Sequence, residues 1–231
     1  MFDAIAGRYD LLNRVLSVGL DRHWRTRAVK ALDLTGRETV LDLCTGTADL
    51  ALAAMAGEHH ARRAIGIDFS GEMLAVGQRK IHAAGLGSSI TLTRGDATRL
   101  PLRDESVDAV TIGFGIRNVE DPLEACREVV RVLRKNGTLA ILEFSLPRMA
   151  VVRRVYLWYF RHVLPRIGRA ISGHPSAYTY LPESVEAFPP PEAFVQQLRA
   201  AGFSTARAIP LAFGVVYLFV ATTEDAGPSP A

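Results

Sequence analysis

The 231-residue chain is 48% hydrophobic, enough apolar surface for one sizeable core, and it reads as a globular protein. A formal charge of +3 is too mild to mark a nucleic-acid binder, and the two cysteines, Cys44 and Cys126, stand far apart in no metal-ligand spacing, so neither a disulfide framework nor a zinc site is indicated. The opening MFDAIAGRYD has an early acid and no basic flank before an apolar core, and no apolar run approaches the ~20 residues that span a bilayer. A cytoplasmic protein, soluble or peripheral to a membrane, is expected.

Tyr9 to Leu32 reads as helical, within an N-terminal segment over 1–35 that lies outside the alternating core. In that core two kinds of segment take turns. TVLDLC, AIGIDF, ITLTRGD, VDAVTIGF and TLAILEFS are short, β-branched and nearly continuous in apolar residues, and between them lie helical patterns such as GEMLAVGQRKIHAAG and DPLEACREVVRVLRKNG. Strands of this kind joined by helical crossovers predict a mostly parallel sheet covered on both faces, a Rossmann-like α/β fold. Asn136-Gly137, after the basic RVLRK, reads as a helix stop. Beyond residue 146 the rhythm yields to a helical, proline-punctuated insertion over 148–185, expected to cover the substrate site. PEAFVQQLRAAGF then predicts a helix, and ARAIPLAFGVVYLFVATT two strands around Gly214 that pair as an antiparallel edge. One domain is expected over 1–225, with 226–231 a frayed tail.

Loops at the strand ends of an open α/β sheet surround its ligand crevice, so the turn in VLDLCTGTADLALA is a site by position. A dinucleotide's pyrophosphate needs the close backbone approach of a G-x-G-x-x-G turn, whereas here Gly46 stands alone, with Ala48 and Ala51 where further glycines would help. One strand later GIDFS supplies Asp68, about 20 residues past Gly46, where an acid accepts hydrogen bonds from both hydroxyls of a ribose. A third strand ends in GDATRLP, whose Asp96 and Ala97 amide suit an adenine amino group. These describe an adenosine without phosphates. Asp42 and Asp49, on the other side of the turn, suit a cationic ligand, and adenosine carrying an amino acid and a sulfonium is S-adenosylmethionine. No metal is called for.

The whole chain resembles the ubiquinone/menaquinone biosynthesis C-methyltransferase family. FDAIAGRYDLLNRVLSVGLDRHWR is similar to its N-terminal signature, VLDLCTGTADLA to its cofactor loop and RVLRKNGTLAILEFS to its second signature, while FGIRNVED, VLPRIG and AYTYLPESVEAFP resemble further family segments. The resemblance runs from Phe2 to the penultimate strand. It implies methyl transfer from S-adenosylmethionine to a ring carbon of a prenylated hydroquinone, of the demethylmenaquinone methyltransferase type, with the methoxy-benzoquinol step of ubiquinone synthesis left open beside it. On matching positions it implies cofactor contacts at Thr47, Asp68, Asp96, Ala97 and Gly113, beside Gly46 and Asp42 of the turn, and a substrate-side pair, Arg117 and Asn118, with Tyr9 as a helper. Because arginine stays protonated, Arg117 is expected to stabilise a phenolate and position water without abstracting a proton itself. The alternative is that Arg117 pairs with Glu120 or Asp121 and Asn118 caps the following helix. Three residues depart from the family pattern: Gly113 replaces a common serine, Ala48 a common glycine, and Asp21 a histidine found in part of the family, the last bearing on which quinone is used. His23, Tyr178 and Tyr180 are further candidates for the quinone pocket.

From Arg148 to Pro182 six arginines and no acid are interleaved with VYLWYF. This describes either a core-packed helix with a solvated basic side or a surface that meets lipid headgroups or an apolar ligand, and the second fits a substrate dissolved in the bilayer. No nucleic-acid partner is expected, and a homo-oligomer is left open. Among rival readings, a nicotinamide-dependent oxidoreductase would share the βαβ frame and Asp68 but needs the missing glycines and a Tyr-x-x-x-Lys pair. A methyltransferase of RNA or of another small molecule is opposed by the family segments. A non-catalytic adenosylmethionine-binding subunit of a quinone-synthesis assembly is separated from an enzyme only by assay.

Overall fold

The computed structural model describes residues 6, 9–17, 19–57, 59–159 and 183–223. Helices α1 (Tyr9–Leu16) and α2 (Asp21–Lys30) come first. The alternation then runs β1 (Thr39–Leu43), α3 (Asp49–Ala54), β2 (Arg63–Asp68), α4 (Gly71–Ala83), β3 (Ile90–Arg94), β4 (Val107–Gly113), α5 (Pro122–Val132) and β5 (Leu133–Phe144). After α6 (Ala150–Trp158) and α7 (Pro191–Ala201) come β6 (Thr205–Leu211) and β7 (Val216–Thr222).

The strands form one seven-stranded sheet in the order β3-β2-β1-β4-β5-β7-β6. The first five pair in parallel, with Leu41 of β1 set between Ile65 and Val110. The antiparallel pairing expected around Gly214 is present. Its reversed strand, β7, sits one place in from the edge and runs antiparallel to β5 and β6 alike, from Thr138 opposite Thr222 to Phe144 opposite Val216.

Period-two alternation explains how both faces are covered. Leu139, Ile141, Phe219 and Ala221 share a cluster with Val129 of α5 and with Phe194 and Leu198 of α7. Their neighbours Ala140, Leu142, Leu218 and Val220 join Trp24 and Ala28 of α2 and Leu50 and Ala54 of α3. Two helices begin where the sequence provides a cap: Ser70 Oγ accepts the Met73 N–H at 3.2 Å, and Asp121, just before Pro122, accepts the Glu124 N–H at 3.0 Å.

The helix before β5 stops earlier than Asn136-Gly137. It ends at Val132, and residues 133–137 belong to β5, where β4 pairs Val107 with Leu133 and then Ala109 with Thr138 across a bulge. Burial of Leu133 against its strand neighbour outweighs another helical turn, and Asn136, left-handed at φ 60°, takes up the extra residues.

From β1 the chain moves outward through β2 and β3, whereas from β4 it moves the opposite way to β5. The loops that leave β1 and β4 therefore part from one another and open a crevice at the carboxyl ends of the strands.

Candidate cofactor and substrate site

The turn after β1 carries left-handed residues at alternate positions, Cys44 (φ 55°), Gly46 (φ 54°) and Ala48 (φ 65°). For Ala48 this conformation costs roughly 1–2 kcal/mol, a strain that glycine would avoid. Asp42 holds the turn from beneath. Its Oδ2 accepts Thr45 Oγ1 at 2.5 Å and the Ala51 N–H at 3.0 Å, and its Oδ1 accepts Thr111 Oγ1 at 2.8 Å. One buried carboxylate thus caps the first turn of α3, folds the loop and ties β1 to β4. Burial pushes the Asp42 carboxyl up to about 6, against the pull of its hydrogen bonds, and nearby Asp68 pushes the same way. Expected as a cofactor contact, Asp42 has its hydrogen bonds spent inside the protein, although it does edge a small cavity of about 40 Å³ beside Thr47.

A larger cavity of about 340 Å³ opens at the strand ends and brings together Gly46, Asp68, Asp96, Ala97, Gly113 and Asn118, residues drawn from four separate loops. Asp68 is fixed from both sides, Oδ2 accepting the Gly46 N–H and Oδ1 the Ser70 N–H, each at 2.8 Å. Asp96 Oδ1 accepts the Thr98 N–H and Oγ1, both at 2.8 Å, and these bonds hold its carboxyl below the usual range. The walls of this cavity include Leu43, Ile67, Phe69 and Met73, apolar surface suited to a purine. Two glycines let the turns close on it: a Cβ at Gly113 would lie 2.6 Å from Leu50 Cδ1, and one at Gly115 would lie 2.4 Å from Cys44 Cβ. An adenosine with a short polar arm fits these donors and acceptors.

Thr47 faces a network that the sequence did not announce. Its hydroxyl donates to Asp10 Oδ1 at 2.5 Å, while Lys80 Nζ donates to Asp10 Oδ2 at 2.7 Å, to Thr47 Oγ1 at 3.2 Å and to Asp49. Arg25 continues it, bridging Asp49 at 2.9 Å and Asp21 at 2.8 Å, and Ser17 Oγ donates to Asp21 at 3.0 Å. The network ties α1 and α2 to the glycine turn and to α4. Asp49, expected to suit a cationic ligand, already meets two protein cations. Asp21 is buried against Arg25 and Ser17 and lines neither cavity, so no contact supports its expected bearing on quinone choice. His23 lies on the exposed side of α2 and lines neither cavity. Tyr9 opens α1, but its side chain lies outside the described residues, as do Tyr178, Tyr180 and residues 160–182 of the expected insertion.

Arg117 and Asn118 end the short 3₁₀ turn Ile116–Asn118 after β4. The Arg117 guanidinium meets neither Glu120 nor Asp121. Its Nη1 donates to Glu143 Oε1 and to the Phe114 carbonyl, each at 2.6 Å, its Nε donates to Ser184 Oγ at 3.3 Å, and its plane stands 5.6 Å from the centre of the Phe144 ring. The ion pair is buried, with 7% of the arginine side chain and none of the glutamate exposed. Burial pushes the Glu143 carboxyl upward while Arg117 and two backbone N–H groups pull it down. Asn118 does not cap the next helix, a task that falls to Asp121; it lines the large cavity instead. Arg117 is off that wall, beside the aromatic group of Trp24, Phe114 and Phe144. Glu143 is not among the residues to which the sequence points; its one signal is an acid inside the apolar run TLAILEFS.

The model of the ubiE/COQ5 methyltransferase family matches residues 1–223. The chain is 47% identical over 220 residues to a demethylmenaquinone methyltransferase of Thermus thermophilus, covering 95% of this chain and 98% of that one. It is 44% identical over 222 residues to a ubiquinone/menaquinone biosynthesis C-methyltransferase of Citrifermentans bemidjiense, covering 96% and 94%. Among solved structures, a putative S-adenosylmethionine-dependent methyltransferase of Methanococcus maripaludis shares the fold with a TM-score of 0.69 at 18% identity, over 99% of this chain and 97% of that one.

Proposed function

The chain belongs to the ubiE/COQ5 methyltransferase family, and we propose on that premise that it methylates a ring carbon of a prenylated hydroquinone, converting demethylmenaquinol to menaquinol with S-adenosylmethionine as donor. The observation that carries the reading is the placement of Asp68, pinned by the Gly46 and Ser70 amides at the mouth of a cavity whose first turn holds a single glycine. That arrangement receives a ribose and leaves no cradle for a pyrophosphate. Asp68 takes the ribose hydroxyls, Asp96 and the Ala97 amide take the adenine edge, and Gly46 and Gly113 form the wall along the rest. Thr47 borders the adjoining small cavity, where the amino-acid arm belongs.

When bound, S-adenosylmethionine would supply an electrophilic methyl carbon to the ring carbon's electron pair, its sulfur leaving as the thioether of S-adenosylhomocysteine and the displaced ring proton passing to water as the ring regains aromaticity. The protein's part is to make that ring carbon nucleophilic and to aim it. A hydroquinol carbon gains electron density as an adjacent hydroxyl loses its proton, and a fixed guanidinium stabilises the resulting oxyanion more than the neutral hydroxyl. Arg117 carries that role, with Asn118 between it and the cofactor cavity to orient a hydroxyl or a water. Holding the two reactants in line supplies much of the rate, about 7–11 kcal/mol in favourable model systems.

Peripheral contact with the membrane that dissolves the quinol belongs to the same reading. On α6, Val151, Val155 and Trp158 recur at i, i+4 and i+7 with 75%, 61% and 56% of their surface exposed, and Arg153 and Arg154 are exposed beside them. No helix among the described residues is long and apolar enough to cross a membrane. The reading is tested by incubating the chain with S-adenosylmethionine and short-chain demethylmenaquinol, with the corresponding methoxy-benzoquinol in parallel, and titrating S-adenosylhomocysteine by calorimetry. Methylated naphthoquinol is expected, with cofactor affinity weakened tenfold or more in Asp68→Ala; tight nicotinamide dinucleotide binding without response to S-adenosylhomocysteine overturns it. Vesicle co-sedimentation is expected to strengthen with anionic lipid and weaken with salt, and Val155→Asp/Trp158→Asp to abolish it.

A further inference from the structure

Resting on that reading, we propose that Glu143 is a positioning residue for the methyl transfer, holding the Arg117 guanidinium so that its free N–H edge faces the quinol oxygen. A fully buried carboxylate is an expensive thing for a strand interior to hold, and an apolar side chain of similar volume commonly serves stability as well or better. Stability therefore does not explain an acid at this point of β5. Its bonds do: Oε1 accepts Arg117 Nη1 at 2.6 Å and the Phe144 N–H at 2.9 Å, and Oε2 faces the backbone N–H of Arg117 at 3.4 Å. The carboxylate thus meets Arg117 at its head and at its root.

An arginine has five N–H donors in a rigid fork. Here Nη1 is taken by Glu143 and the Phe114 carbonyl, Nε is turned to Ser184, and the face rests on Phe144. Among the described residues no partner meets Nη2. A guanidinium fixed at one nitrogen, one edge and one face has a single orientation left, and the Nη2 edge is what it offers to a developing oxyanion. Glu143 does not line the cofactor cavity, so its influence runs through Arg117.

The test combines Glu143→Gln, Arg117→Lys and the double variant, each assayed for kcat and KM with short-chain demethylmenaquinol, for S-adenosylhomocysteine affinity and for thermal melting. Gln is nearly isosteric and keeps the Oε1 bonds, so it is the variant expected to fold; what it loses is the charge that locks the fork. Glu143→Gln is expected to lower kcat about tenfold while KM and cofactor affinity stay within about twofold. Lysine cannot reproduce the fork, so once Arg117→Lys has removed it Glu143 has nothing to aim, and the double variant is expected within about twofold of Arg117→Lys alone. Near-normal kcat in Glu143→Gln, losses that multiply in the double variant, or a loss that tracks the melting temperature overturns the inference and leaves the proposed reaction standing. A wild-type chain that does not methylate the quinol overturns both.

Discussion

Gly113→Ser restores the residue that the family commonly carries at the end of β4, yet here it is expected to destabilise the protein. The added Cβ would lie 2.6 Å from Leu50 Cδ1 and 3.6 Å from Leu50 Cγ. Carbon atoms in contact sit ~3.5–4.0 Å apart, so about 1 Å of movement must be found. Leu50 is buried in the cluster of Trp24, Val40 and Leu142, on the first turn of α3 that Asp42 anchors, and neither can retreat freely. Overpacking of this size costs about 1–3 kcal/mol, which for a chain of this length lowers the melting temperature by roughly 2–12 °C. Leu50→Val removes the clashing methyl while losing about 1 kcal/mol by itself. The double variant is expected to melt above the sum of the two single losses by a coupling of about 1–3 kcal/mol, measured in denaturant titrations. A Gly113→Ser protein as stable as wild type, or strictly additive losses, would refute the idea that Leu50 occupies the space of the missing side chain.

Three other groups yield expectations of the same kind. Because the Asp42 carboxyl rises from 3.8 to about 6 on folding, the native state binds the proton more tightly than the unfolded one, and this group's contribution falls as pH rises between about 4 and 6. Asp42→Asn lacks that titration, so the stability gap between wild type and variant should shrink by up to ~3 kcal/mol from pH 4 to 7 in denaturant melts; a constant or widening gap contradicts the assignment. Lys80→Met leaves Asp10 and Asp49 facing each other without their shared cation, and since the pairs are partly exposed the global cost should stay within about 1 kcal/mol. Hydrogen exchange over 9–16 is expected to speed up by roughly two- to fivefold, whereas unchanged protection would mean that the network does not hold α1. Asp121→Ala removes the cap of α5 and should cost about 1 kcal/mol, or roughly 2–4 °C in a melt.

What could be read in advance was local. The five parallel strands declare themselves as apolar runs, and the Asp68 and Asp96 positions are legible because the first ends β2 and the second lies two residues past β3. The start of β5 could not be read, since Leu133 continues a helical pattern and becomes a strand only by pairing with Val107. Asp42 was visible as an acid in the right turn, but a one-dimensional pattern does not say whether a side chain lies above the turn or beneath it. The nearest acids to Arg117 along the chain are Glu120 and Asp121, and the true partner, Glu143, arrives from the neighbouring strand. The bridge from Lys80 to Asp10 spans an even longer separation and left no local trace.

β7 enters the sheet between two strands that precede it, and Val216 to Ala221 are buried there. During synthesis, the flank of β5 that carries Leu139 to Leu142 therefore has no neighbour until β7 has been made, and β6 has nothing to dock on. At ~5–20 residues per second the stretch from Phe144 to Val216 keeps that apolar flank bare for roughly 4–14 s. A chain cut short before Val216 would carry a permanent sticky edge, open to any passing strand. The nascent polypeptide thus passes through a window of exposed sheet flank, and closing that window is the work of the sheet's final seven residues.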